Sequence, residues 1–409
     1  MKIGIIREGK VPPDKRVALL PYQCIEVLER FPQLQLYIQP SSVRCVPDDA
    51  YRAAGIPVTE DLSHCDILFG IKEVPTSQLI ENKTYFFFSH TVKKQKYNRH
   101  LLQTILKKNI TLIDYECLTN NAQDRQRIIA FGRYAGIVGA YNAFWTYGKK
   151  YNAYTLKRAY ACSNMEEMKK EYAKIQLPSI KIAVTGSGRV GKGVQEVLEE
   201  LQITEVSPQN FIEETYHYPV YTVLQSKDYH QHKDGLAWNS QDFHQHPYNY
   251  VSLFYPFARQ ADILITSAFW HPQAPRLFTK QEMKQNDFHI RVVSDISCDV
   301  DGSVPCTVKT TTIPDPVYDF DPFTEQIVAP FSGANIISVV AIDNLPCELP
   351  YDASAYFGQQ LIDRVLPLML SSDNEKVIER ATITNSGKLM PAYQYLESFV
   401  NERSEDNAR

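Results

Sequence analysis

Short apolar runs alternate with amphipathic stretches from the first residue onward. KIGIIRE reads as a strand, YQCIEVLERF as a helix with one apolar face, and LQLYIQP as a second strand. DILFGIKEVP (66–75) and FFFSHTVKK (86–94) predict buried strands over 66–71 and 84–88, each leaving a basic side chain at its exit, Lys72 and His90. A helix around NRHLLQTILKK and a strand in ITLIDYE follow. From about Arg127 to Tyr151 the pattern predicts one long helix. Its small residues Gly132, Ala135, Gly136, Gly139 and Ala140 leave room for another helix or a ligand to come close. A charged helix, NMEEMKKEYAK, leads into LPSIKIAVTGSGRVGKGVQEVLEELQI, which reads as strand, glycine turn and helix. ADILITSAF and HIRVVSDISCD are two further buried strands, Asp352 to about Ser371 is helical, and the tail SEDNAR is polar and expected to fray. Only 208–250, rich in Tyr, His and Gln, has weak periodicity.

Strands alternating with helices of this length predict an α/β fold of parallel sheets covered on both faces. A chain of 409 residues exceeds one compact core and predicts two domains. The formal charge of −4 argues against a general nucleic-acid binder, and no apolar run is long enough for a membrane span. Eight scattered cysteines without a CxxC pair read as reduced thiols in a cytoplasmic protein. The 25 tyrosines, lacking a basic companion patch, read as core and cleft-wall residues. His-Gln-His occurs at 230–232 and at 244–246 without a third ligand at matching spacing, so no metal is expected.

The glycine turn is Gly186-Ser187-Gly188-Arg189-Val190-Gly191. Between a strand and a helix this spacing suits a dinucleotide. Gly186 makes the tight turn, Gly188 admits the pyrophosphate to the backbone, and Gly191 allows close helix packing. An acid for the ribose hydroxyls is expected about twenty residues on, yet ITEVSPQNF offers only Glu205. With no arginine there for a 2′-phosphate, NAD is the expected cofactor, and NADP stays open.

Taken in order, IREGKVPPDKRVALLP, CDILFGIKEVP, FFFSHTVKK, RIIAFGRYAG, the glycine turn, DISCDVDGSVP and IDNLPCELPYDAS resemble the alanine dehydrogenase and saccharopine dehydrogenase superfamily. The likeness is greater to its lysine-forming saccharopine branch. The resemblance implies two Rossmann-like domains with parallel sheets and an active site in the interdomain cleft. It implies a substrate domain over 1–135 completed by returning helices at 350–409, and a dinucleotide domain over 136–349. It also implies an acid–base pair, Lys72 and His90, with Asp299 as an acidic partner, and substrate contacts from Arg16, Lys93, Arg127 and Phe131. Ser267, Ala268, Asp295, Asp343, Asn344 and Leu345 join the glycine turn as cofactor contacts.

The implied activity is NAD(P)-dependent cleavage of a secondary amine to an amino acid and a 2-oxo acid, acting on small molecules as a monomer or homodimer. Two alternatives compete: an alanine dehydrogenase-like enzyme and a non-catalytic dinucleotide-binding protein. Arg16, Arg127 and Lys93, taken as surplus unpaired cations, favour a substrate with several carboxylates.

Overall fold

The computed structural model describes residues 1–120, 125–371 and 373–402. The chain divides into two compact units, Met1–Phe131 with Pro350–Arg409, and Gly132–Leu349. Each is built on its own largely parallel sheet, so the α/β class with two Rossmann-like domains is what the chain adopts. The tail SEDNAR lies outside the described residues.

Strands are numbered in chain order. The first unit contains β1 (Lys2–Ile5), β2 (Gln35–Ile38), β3 (Ile67–Phe69), β4 (Thr84–Phe87) and β5 (Thr111–Asp114), joined by β16 (Thr382–Asn385) and β17 (Lys388–Leu389). Their order is β17-β16-β5-β4-β3-β1-β2, parallel from β5 to β2, with β16 and β17 antiparallel at the edge. Leu68, Tyr85, Phe87 and Leu112 of these strands pack with Leu102 and Ile105 from the helix Arg99–Lys107 and with Ile383 and Leu396 from the returning segment. All parallel strands point one way, so the side chains that follow them gather at one end of the sheet.

The second unit holds β6 (Lys181–Thr185), β7 (Thr204–Glu205), β8 (Val220–Leu224), β11 (Ile263–Thr266), β12 (Val292–Asp295), β13 (Val317–Asp321), β14 (Gln326–Val328) and β15 (Ile337–Val340). A separate ribbon pairs β9 (His230–His232) with β10 (Tyr250–Ser252). The main order is β14-β13-β15-β12-β11-β6-β8-β7, with β13 alone running against the rest, antiparallel to both β14 and β15. Every residue of β6, β11, β12 and β15 is buried, as central parallel strands require.

Two expectations need correction here, and a third is met in one of its two forms. The long helix is Gly132–Tyr151 and does not start at Arg127. Arg127 instead forms an antiparallel bridge with Thr119, the Ile128 N–H donates to the Leu118 carbonyl, and Arg125 has φ +45°, so the chain before Gly132 is not helical. Next, ITEVSPQNF is not the strand beside the glycine turn. It supplies the edge strand β7, while β8, from the stretch of weak periodicity, lies between β7 and β6. The Gly186 N–H donates to the Leu224 carbonyl at 2.8 Å, which fixes β8 as the neighbour of the turn. Lastly, the small face of the long helix meets a helix. A Cβ on Gly136 would lie 2.0 Å from the Val190 carbonyl oxygen, and one on Gly193 would lie 2.1 Å from that of Arg133.

No described helix is long and apolar enough to cross a membrane. All eight cysteines are free.

Candidate functional site

In the first unit the neighbouring strands β1, β3, β4 and β5 end side by side. Beyond them the Ile6 N–H donates to Phe69, Gly70 to Phe86 and Phe88 to Ile71, so the exits stay in register. Lys72 and His90 therefore leave adjacent strand ends. Glu8, two residues beyond Ile6, accepts from the Ile71 N–H at 2.7 Å and from the Lys72 N–H at 2.8 Å, which ties the β1 exit to the lysine's backbone.

His90 has a left-handed backbone, φ +53°. Its loop is held by Asp114 at the end of β5, whose Oδ2 accepts from both the Ser89 N–H (3.0 Å) and hydroxyl (2.5 Å). The imidazole Nδ1 lies 2.6 Å from Glu73 Oε1, and Lys10 reaches the other oxygen of Glu73 at 3.1 Å. Burial alone would raise Glu73. The hydrogen bond with His90 and the charges of His90 and Lys10 outweigh it and hold the group at about 2. An ionised Glu73 can only accept, so Nδ1 donates and Nε2 is left as the nitrogen that exchanges protons. Glu8 behaves oppositely. Burial, then the nearby charge of Asp14, push it up to about 8 against the pull of the two backbone donors.

Of the expected substrate cations, Arg127 lies 2.6 Å and Lys93 3.2 Å from the same oxygen, Glu116 Oε1. Burial works to raise Glu116, but the two cations outweigh it and keep it low. Arg16 donates through Nε and Nη2 to the two oxygens of Asp14, at 3.0 and 2.6 Å, and both residues are buried. Its guanidinium lies 4.2 Å from the Phe131 ring centroid, and Phe131 stacks on Phe357 at 4.5 Å. The cations are thus not the surplus unpaired charges expected from sequence. A partly desolvated guanidinium or ammonium draws in a carboxylate to offset its lost hydration.

Glu8, Asp14, Glu73 and Glu116 were not singled out from sequence. The available signal was topological: each parallel strand's exit deserves the scrutiny given to Lys72 and His90. Glu8 follows KIGIIR, Glu73 follows Lys72, and Glu116 closes ITLIDYE.

In the second unit the cofactor candidates also gather at strand exits, after β6 (186–191), β11 (Ser267, Ala268), β12 (Asp295, at its last residue) and β15 (Asp343, Asn344, Leu345). Gly186 is left-handed at φ +93°, and a Cβ there would meet the Ala268 backbone nitrogen at 2.8 Å. A Cβ on Gly191 would lie 2.0 Å from the Gly186 carbonyl oxygen, whereas one on Gly188 meets nothing within 4 Å. Ser187 and Gly188 are exposed, and Arg189 and Val190 open the helix Arg189–Glu200. A backbone tight on both sides and open at its middle glycine fits a pyrophosphate approaching the turn.

The Ser267 hydroxyl donates to the Thr185 carbonyl at 2.6 Å and so braces this turn. Asp295 is buried and accepts from the hydroxyls of Thr266, Ser297 and Thr307 and from the Cys298 N–H. Asp299 is exposed in the following loop. Asn344, left-handed at φ +76°, starts the turn Leu345–Glu348, with Asp343 exposed before it and Leu345 buried after it. No His, Cys, Asp or Glu group among the described residues has metal-holding geometry.

Residues 4–138 match the family model described as "Alanine dehydrogenase/PNT, N-terminal domain". The chain is 30% identical to alpha-aminoadipic semialdehyde synthase, mitochondrial, of Mus musculus, over 90% of its own length and 45% of that protein's. It is 23% identical to saccharopine dehydrogenase (NAD(+), L-lysine-forming) of Emericella nidulans, covering 93% of this chain and 95% of that one. A solved L-alanine dehydrogenase shares the fold at a TM-score of 0.66 and 14% identity, over 98% of this chain and all (100%) of that one. The chain spans less than half the length of the alpha-aminoadipic semialdehyde synthases it matches, 42% and 45%. With two parallel-sheet units and matches along nearly its whole length, the chain is similar to the alanine dehydrogenase and saccharopine dehydrogenase superfamily, saccharopine dehydrogenase included.

Proposed function

We propose that the chain is an NAD(P)-dependent amino-acid dehydrogenase of the saccharopine type, interconverting a secondary amine with an amino acid and a 2-oxo acid. The observation that carries this reading is the cluster at the first unit's strand exits: Lys72 beside a Glu73–His90 pair, with Lys93 and Arg127 on one carboxylate, Glu116. A bound nicotinamide dinucleotide supplies the hydride acceptor, held by the turn at 186–191. Lys72 and His90 take the proton lost from the amine nitrogen. They then take one from the water that adds to the carbon–nitrogen double bond, and return a proton to the departing nitrogen. Glu73 keeps the Nδ1 side of His90 occupied so that Nε2 performs these transfers.

Two cations facing one carboxylate leave a net positive charge at Glu116, which suits a substrate anion. Lys93 and Arg127 are about half exposed, with side-chain exposures of 48% and 47%, so an incoming carboxylate can reach both. Arg16 and Phe131 are proposed to shape the same pocket, and Asp299 to act as the second unit's acidic group.

The preference for NAD rested on the exit near Glu205, which the strand order moves away from the turn. The exit beside the turn is Leu224-Gln225-Ser226-Lys227, and the neighbouring Asp228 carboxylate accepts the Gln225 N–H at 2.7 Å. Lys227 suits a 2′-phosphate, so this exit favours tighter binding of NADP.

The test is an absorbance screen with NADH, NADPH and their oxidised forms, against lysine plus 2-oxoglutarate, saccharopine, alanine and pyruvate. Turnover of saccharopine or of lysine with 2-oxoglutarate is the expected result. Good turnover of alanine and pyruvate alone would move the reading to alanine dehydrogenase, and dinucleotide binding without turnover would move it to the non-catalytic alternative.

A further inference from the structure

Glu348 has no part in the reading above, although its carboxylate is entirely buried in the second unit. It closes the turn Leu345–Glu348 that follows β15. Its Oε1 accepts from Asn142 Nδ2 at 2.7 Å, and the carboxylate also accepts from the Tyr160 N–H. Arg158 Nη2 stands 3.5 and 3.3 Å from its two oxygens. The Arg158 guanidinium lies 4.7 Å from the ring centroid of Trp145 and 5.2 Å from that of Tyr160, which keeps it from swinging away. Burial pushes the Glu348 carboxyl up against the pull of Arg158, and a buried pair of this kind commonly adds little net stability. What it fixes is direction, because each of its hydrogen bonds comes from a different segment.

Asn142 and Trp145 stand on the long helix Gly132–Tyr151, and earlier turns of that helix reach other strand exits. Gly136 packs against Val190, at the start of the helix that follows the glycine turn. A Cβ on Gly139 would lie 2.5 Å from the Ile296 side chain, just beyond β12, and 3.6 Å from that of Leu345. One rigid helix therefore meets the glycine turn's helix, the exit of β12 and the turn after β15 in succession. In the order β6-β11-β12-β15 the last strand stands three spacings from the first, about 14 Å at the usual strand separation. A dinucleotide with its pyrophosphate at 186–191 and its adenosine ribose toward β8 sends its nicotinamide half in this direction.

We propose that Glu348 is a positioning residue. With Asn142 and Arg158 it fastens the turn after β15 to the long helix, and so sets where Asp343 and Asn344 stand against the nicotinamide half of the dinucleotide. The inference rests on the dinucleotide reading of 186–191 and 343–345. Because the link acts on one half of the ligand, its loss should spare a ligand that lacks that half.

The test measures, by calorimetry on the full chain, binding of NADH and NADPH beside that of ADP and 2′-phospho-ADP, which end at the pyrophosphate. The double variant Glu348→Leu with Arg158→Met replaces the polar link by apolar groups. It should bind the preferred dinucleotide roughly tenfold more weakly, the size of one lost hydrogen bond, and the matching diphosphate as before. Glu348→Gln with Arg158→Met keeps an oxygen for Asn142 and should recover affinity to within about threefold of the unaltered chain. A merely structural role would weaken both ligands together, and that result overturns the inference, as does full affinity for both in the first double variant. If that variant does not fold, Asn142→Ala, which leaves Glu348 beside Arg158, should show the same selective loss at about threefold, and an equal loss for both ligands or none overturns it. Failure of the unaltered chain to bind any of the four ligands would remove the cofactor reading and this inference with it.

Discussion

The two sheets end in parallel-strand exits of opposite character. In the first unit the exits carry ionisable groups: Glu8, Lys72, Glu73, His90 and Glu116 sit on adjacent strands and are knitted to one another or to Lys10, Lys93 and Arg127. In the second unit the exits carry glycine, hydroxyls and aromatic walls. Asp295, a buried carboxylate there, is held by hydroxyls and a backbone N–H. The same topology thus yields two kinds of site. One moves protons and holds carboxylates, which requires perturbed, paired ionisable groups. The other receives a large ligand through backbone and shape, which requires glycine where the ligand comes close.

The contrast breaks most visibly through the acid–base pair. Lys72→Met and His90→Gln should each lower turnover by roughly a hundredfold or more, the usual size of an acid–base contribution, with dinucleotide affinity unchanged. Stopped-flow turnover beside a binding titration checks this, and full activity in both variants would remove the first unit's assigned role. Gly188→Val should do the converse with a smaller effect. The new side chain enters open space, so folding is kept, while dinucleotide affinity falls by about tenfold or more and saturated turnover stays near the original. Gly191→Ala is the control on shape. Its methyl group would lie 2.0 Å from the Gly186 carbonyl oxygen, so the cost should show as lost thermal stability even without ligand.

Most of this architecture was legible, and the failures have physical causes. β1 to β5 stand out because each is a compact apolar run between polar breaks, and the turn at 186–191 because glycine spacing implies a backbone approach. β8 was missed because VYTVL follows the polar, tyrosine-rich ETYHYP, which blurs its alternation. Nor can a sequence show that the crossover after β6 goes first to the sheet edge and returns one strand inward. That order decides which side chains flank the turn. The start of the long helix was misplaced because RIIAF is as apolar as the helix it precedes, and Ile129 and Phe131 are buried within the first unit. The carboxylate partners of Arg127 and Lys93 needed the sheet to bring β5's exit to them. Asp14, two residues from Arg16, could have been found by looking for local ion pairs in DKR.

The smallest effect sharpens the comparison from the stability side. Glu8 sits at about 8, raised by burial and then by Asp14, whereas the unfolded chain returns it to the ordinary carboxylate value near 4.5. Between those values the folded state holds a proton that the unfolded state has released. Stability is therefore greatest at the acidic end of this window and falls as pH rises through it, by at most about 1.4 kcal/mol per pH unit for one proton. Glu8→Gln cannot ionise, so its own contribution to the slope disappears. Its amide nitrogen cannot accept the backbone N–H that one carboxyl oxygen took, so the variant should start about 1 kcal/mol less stable at the acidic end. The gap should close within about one to two pH units and then reverse before pH 8, because only the unaltered chain loses stability with rising pH. Urea midpoints of both proteins at intervals across this range measure the difference. Parallel pH dependences would mean that Glu8 is ionised where it lies, and the contrast between the charged and the apolar strand exits would then include one more buried carboxylate at neutral pH.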